Sequence, residues 1–185
     1  MQTLGLSDST PRTEGRLKSL FWPSIQTASD VDYLGAQGYW VCVLVAVLSF
    51  IGSAVEDHPI AGAFLLLVYY FGGVGVRERS RYAATVVFLL YVLDFLLSGF
   101  GVIKIFITAL LLSNLRATWI ASSWMPGAEE ASLPPRLNET LGDKFADKLP
   151  EWLWPKVRIP YYVLSAGFLA VVAAGIVIMA SRHPH

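Results

Sequence analysis

An all-α integral membrane protein of about five transmembrane helices is the fold class the sequence predicts. Three observations predict it. Of 185 residues, 55% are hydrophobic and only 15% charged, with a mean hydropathy of +0.53, a balance well to the membrane side of soluble chains. The apolar residues fall into five long runs, and the basic residues fall between alternate pairs of those runs.

The runs are residues 38–55, 60–76, 82–98, 102–120 and 161–180. At 1.5 Å per residue they are about 26–30 Å long, enough to cross a hydrocarbon core. Only the third and fourth contain charges. A single helix over 82–120 would be about 58 Å long, so it must turn, and Ser98-Gly99-Phe100-Gly101 supplies the glycines that permit it. Five such runs leave no amphipathic helices to cover them in a soluble fold.

Residues 1–37 read as a cytoplasmic amino-terminal segment, without an apolar run long enough for a signal peptide. Residues 38–185 read as one helical membrane domain with a cytoplasmic connection at 121–160. After Pro134-Pro135 that connection repeats Leu137, Leu141, Phe145 and Leu149 at four-residue steps, with charged residues between. This predicts an inner-surface amphipathic helix over about 137–149, broken at Pro150.

Basic residues set the orientation. Arg12, Arg16, Lys18, Arg77, Arg79, Arg81, Arg116, Arg136, Lys144, Lys148, Lys156 and Arg158 fall on one side, against Lys104 and Arg182 on the other. The positive-inside tendency then gives amino terminus in, carboxy terminus out. Trp22, Trp40, Trp119, Trp124, Trp152 and Trp154 all fall at predicted inner helix edges, where indole favours the interface. The implied location is a cell membrane crossed several times, and the compact architecture suggests a bacterial inner membrane. Asn138-Glu139-Thr140 matches a glycosylation acceptor by chance, since this orientation leaves it inside.

Asp94 lies about five residues before the turn and Lys104 about five after it, so an antiparallel hairpin brings them level. An aspartate stem is too short to reach the interface, so Asp94 needs a partner or a proton. Tyr91 and Ser98 share its helical face and are candidate hydrogen-bond donors. The group reads as a structural ion pair or as an ion or proton site. Lys104 and Arg116, about 18 Å apart along one helix, both reach an interface by snorkelling.

Arg77, Arg79 and Arg81, preceded by Gly72, Gly73 and Gly75, form a lipid-headgroup candidate, weighed against tight helix packing followed by topology signals. Glu56, Asp57 and His58 are a weak metal candidate, because no ligand spacing is fixed. Ser113 and Asn114 suit contacts between helices. Ala166, Ala170 and Ala174 recur every four residues and suit close helix approach, within the chain or between copies.

Several classes are disfavoured. No Ser, His and acid grouping suggests a hydrolase, GxGxxG is absent, and no repeat of the transporter kind is visible. Nothing resembles a nucleic-acid module or a lipidation motif, and the single Cys42 precludes an intrachain disulfide. No cofactor is implied. The first functional expectation is an accessory, structural or assembly subunit of a larger membrane complex. The alternative is an ion or small-solute transporter or channel using Asp94 and Lys104, and the third is a lipid-handling membrane enzyme. For the orientation, the expected outcome is that Ser132→Cys reacts with an impermeant thiol reagent only after cells are opened, and Ser181→Cys reacts on intact cells. Reversed labelling overturns it.

Overall fold

The structure is a computed structural model and describes residues 21–22, 25, 28–99, 101–121 and 152–182. Five helices follow in order: α1 (Ala28–Val55), α2 (Pro59–Arg77), α3 (Arg81–Ser98), α4 (Val102–Ala121) and α5 (Leu153–Arg182). All five are long and apolar enough to cross a membrane. The predicted amphipathic helix over 137–149 lies outside the described residues, as do Arg12, Arg16, Lys18, Trp124, His183 and His185.

Each of the first four helices packs on its neighbour in sequence, and α4 returns to α1. They form a closed four-helix ring. Helix α5 lies outside it, against α2 and, less extensively, α3. The ring has an arginine end, where α2 turns into α3, and a hairpin end, where α1 turns into α2 and α3 into α4.

Two boundaries differ from the sequence reading. Helix α1 begins at Ala28 and its apolar window at Val31, ten and seven residues before Gly38, where the sequence reading started the run. The extra turns carry Asp32, which pairs with Arg79 at 2.6 Å, and Leu34, which is fully buried. Ion pairing and packing thus extend the helix through residues too polar to count as a membrane run. Trp40 consequently lies about 13 Å beyond Val31 along the axis rather than at an edge.

Helix α5 begins at Leu153, with its apolar window over Leu153–Gly175, and carries Pro160 inside it. The start read at residue 161 moves to Leu153, and Trp154, buried against the core, anchors the first turn. Trp154 is therefore a packing residue. Trp119 and Trp152 do lie exposed, beneath Arg81 at 5.5 Å and Lys156 at 4.7 Å.

The helix junctions at both ends of α2 have a sequence cause that residue type conceals. After α1, His58 N–H bonds to Ser53 O and Asp57 N–H to Ala54 O; after α2, Ser80 N–H bonds to Gly75 O and Arg79 N–H to Val76 O. Both are Schellman terminations. Their left-handed residues are Asp57 (φ 60°) and Arg79 (φ 55°), where glycine is usual. Aspartate tolerates this conformation, and Arg79 adopts it with its guanidinium bonded to Asp32. Ser80 then caps α3 by accepting from Ala83 N–H at 3.4 Å, so three residues suffice to reverse the chain.

Close approach within the ring depends on glycine. A Cβ on Gly73 would lie 2.7 Å from that of Cys42, and one on Gly75 would lie 2.6 Å from that of Ala83. A Cβ on Gly38 would strike the Asn114 amide, which donates to Leu34 O. By contrast a Cβ on Gly167 or Gly175 meets nothing, and Ala166, Ala170 and Ala174 are exposed. The alanine stripe therefore faces away from the ring. Gly73→Val should cost about 1–3 kcal/mol by overpacking, read as a lower melting temperature in detergent, with Gly167→Val nearly neutral. Equal effects would overturn this assignment of the contacts.

Candidate functional site

At the hairpin end, α3 closes on Gly99 in a positive-φ conformation (φ 91°), and α4 starts at Val102. The tight reversal fixes the register of the two helices. It places Lys104 Nζ 3.1 Å from Asp94 Oδ2, so the pairing read from spacing is present in the structure. Ser98 joins the pair differently from the sequence expectation. Its hydroxyl donates to the backbone oxygen of Asp94 and receives a hydrogen bond from Lys104 Nζ, so it supports the carboxylate through the ammonium. Tyr91, one turn before Asp94, is buried and lines the adjoining space.

The pair is open on one side, with the side chain of Asp94 54% exposed and that of Lys104 30%. It borders a cavity of about 420 Å³ to which all four ring helices contribute. Helix α1 adds Ser49 and Ser53, and the turn after it Glu56; α2 adds Leu65; α3 adds Tyr91 and Asp94; α4 adds Ile103, Lys104 and Ile107. Sequence reasoning placed Glu56 in the first connection, where the structure has it, and passed over the two serines. Their spacing of four and seven residues, one helical face, was the available signal. A polar stripe on the last turns of an otherwise apolar run points inward because lipid would leave it unsatisfied.

A second space of about 230 Å³ shares Val45, Ser49, Leu65, Tyr91 and Asp94 with the first. It then continues along Leu93 and Leu97 to Phe168 and Val172 of α5. Asp94 therefore stands at the junction of a polar arm and an apolar arm.

The arginine end is built otherwise. Arg79 holds Asp32, Arg81 stacks on Trp119, and Arg116 lies over Trp22 at 4.6 Å. Gly72, Gly73 and Gly75 are buried, facing Val87 with Tyr161, Cys42 with Tyr39, and Trp154 with Ala83. Their surfaces serve helix packing. Tyr82 ties α5 on by donating to Tyr162 O at 3.2 Å, with its hydroxyl also 3.2 Å from Ser165 Oγ. Phe21 stacks on Phe106 at 5.4 Å, bringing the stretch before α1 against α4.

Glu56, Asp57 and His58 occupy the first turn, and among the described residues no three His, Cys, Asp or Glu side chains converge as a metal site. Glu56 instead faces the cavity with Asp94. No family model, curated protein or solved structure matches this chain.

The arrangement can hold a charged or strongly polar solute beside a carboxylate and an ammonium in a low-dielectric setting. In a double-mutant cycle, Asp94→Asn and Lys104→Met should each destabilise alone, while the double variant recovers part of the loss, with a coupling of about 0.5–3 kcal/mol. Strict additivity in detergent melts would mean that the contact carries no stability.

Proposed function

We propose that the protein takes a small ionic or polar solute into the cavity at the hairpin end and holds it against Asp94 and Lys104, as the binding element of a membrane transport system. The observation that supports this reading is the setting of the pair. An ion pair that only closed a hairpin would need no polar groups beyond its own two helices. This one forms the wall of a four-helix cavity, with Ser49 and Ser53 on the facing α1 and Glu56 in the turn that follows it. Polar groups from a separate helix add nothing to hairpin closure, but they do complete a binding surface.

The positive-inside distribution orients the cavity toward the outer side of a cell membrane. Passage to the inner side then needs a rearrangement at the glycine contacts or a second subunit. The accessory-subunit reading is retained for that reason. It is favoured by α5, whose alanine stripe is turned away from the ring and is available to a larger membrane partner or a second copy. A lipid-handling enzyme using Arg77, Arg79 and Arg81 draws less support, because Asp32 and Trp119 already engage two of the three.

Reconstituted vesicles test the first reading. Methylammonium uptake and a proton-sensitive dye should report flux that Asp94→Asn lowers at least about tenfold, the effect of losing about 1.4 kcal/mol of binding. Glu56→Gln should lower it less. Absence of flux together with co-purification of a partner in mild detergent would favour the accessory reading instead.

A further inference from the structure

We propose that the two-armed cavity accepts a cationic amphiphile, with an ammonium head between Asp94 and Glu56 and a hydrocarbon chain along the arm that reaches α5. This rests on the reading of the cavity as a solute site and specifies what the solute is.

The sign of the head follows from the lining. Asp94, Glu56 and Lys104 border the polar arm, which leaves one net negative charge when all three are ionised. Lys104 meets Asp94 through Oδ2. Glu56, exposed, is the first residue after α1, its N–H bonded to Gly52 O, and it borders the same space as Ser49 and Ser53. An anion would confront two carboxylates against one ammonium, whereas a cation is drawn by the net negative charge. A cationic head removes that excess, and the serine oxygens can accept further hydrogen bonds from it.

The chain follows from the second arm. Beyond the shared junction it is walled by Tyr69, Leu90, Leu93, Leu97, Phe168 and Val172, apolar except for the Tyr69 hydroxyl, and its volume of about 230 Å³ suits a chain of several carbons. A hydrated inorganic cation gains nothing from that space. A hydrocarbon chain arriving from water gains roughly threefold to fourfold in affinity per buried methylene. The arm exists because α5 is tied to the ring mainly near the arginine end, by Tyr82, Ser165 and Trp154. Toward the hairpin end Phe168 and Val172 roof a gap rather than interlock with α3.

The experiment is a titration of the full chain in phosphatidylcholine nanodiscs, with empty nanodiscs subtracted, using methylammonium, butylammonium, hexylammonium and hexyl sulfate at low ionic strength. Saturable binding should rise from methyl- to hexylammonium by at least tenfold, and hexyl sulfate should not bind. Glu56→Gln should weaken every ammonium. Val172→Trp, and independently Leu97→Trp from the opposite wall, should weaken hexylammonium while leaving methylammonium unchanged, which also reports that the variant is folded. Equal affinity for methyl- and hexylammonium, or chain discrimination untouched by both tryptophans, overturns the amphiphile inference and leaves the solute site standing. Binding of hexyl sulfate as tight as hexylammonium overturns the charge argument. Failure of every ammonium to bind saturably, with no response to Asp94→Asn, overturns the solute reading itself.

Discussion

Glycine-mediated approach at the arginine end is the constraint on which the rest of the molecule depends. Gly38 admits Asn114 of α4, Gly72 and Gly75 admit α3 and α5, and Gly73 admits α1. All five helices are thereby drawn together toward one end of the bundle. At the hairpin end only the α1–α2 contact has an equivalent, at Gly62 against Ser53 and Phe50. Helices α3 and α4 have none there, and a Cβ on Gly52 would meet nothing. The helices are clamped at one end and separated by bulkier side chains at the other. The cavity is the geometric result of that asymmetry.

In lipid this asymmetry also decides where polarity is tolerated. Between two apolar phases no hydrophobic force drives helices together, so close packing and interhelical hydrogen bonds must do so. Asn114 supplies one such bond to Leu34 O in the tight region, and Tyr82 with Ser165 supplies another to α5. At the hairpin end the bonds gather around the Asp94–Lys104 pair. Its two members come from helices joined by a very short turn, so little chain entropy is lost in bringing them together.

Much of the fold was legible in the sequence because lipid imposes a single long-wavelength signal. Five apolar runs and a glycine turn suffice to place α2, α3 and α4 within a residue or two. Asp94 and Lys104 were legible as a pair because distance along two helices from a common turn fixes their depth. Less was legible wherever tertiary contact overrides hydropathy. The start of α1 depends on an ion pair between Asp32 and Arg79, 47 positions apart, and the start of α5 depends on where Trp154 is buried. Ser49 and Ser53 were missed, and Glu56 was not related to Asp94, because they lie on α1 and in the turn after it. No local pattern relates them to a hairpin formed by α3 and α4.

The arginine loop illustrates how a topological signal and a structural role come to share residues. Arg77, Arg79 and Arg81 satisfy the charge asymmetry that orients a membrane chain, yet Arg79 also ends α2 in a left-handed conformation while holding Asp32. Arg81 opens α3 and covers Trp119. These contacts stiffen the end at which the glycines already bring the helices closest. On the proposed reading, a solute would enter at the end that holds the cavity, and the glycine contacts and the arginine end would keep the ring together around it.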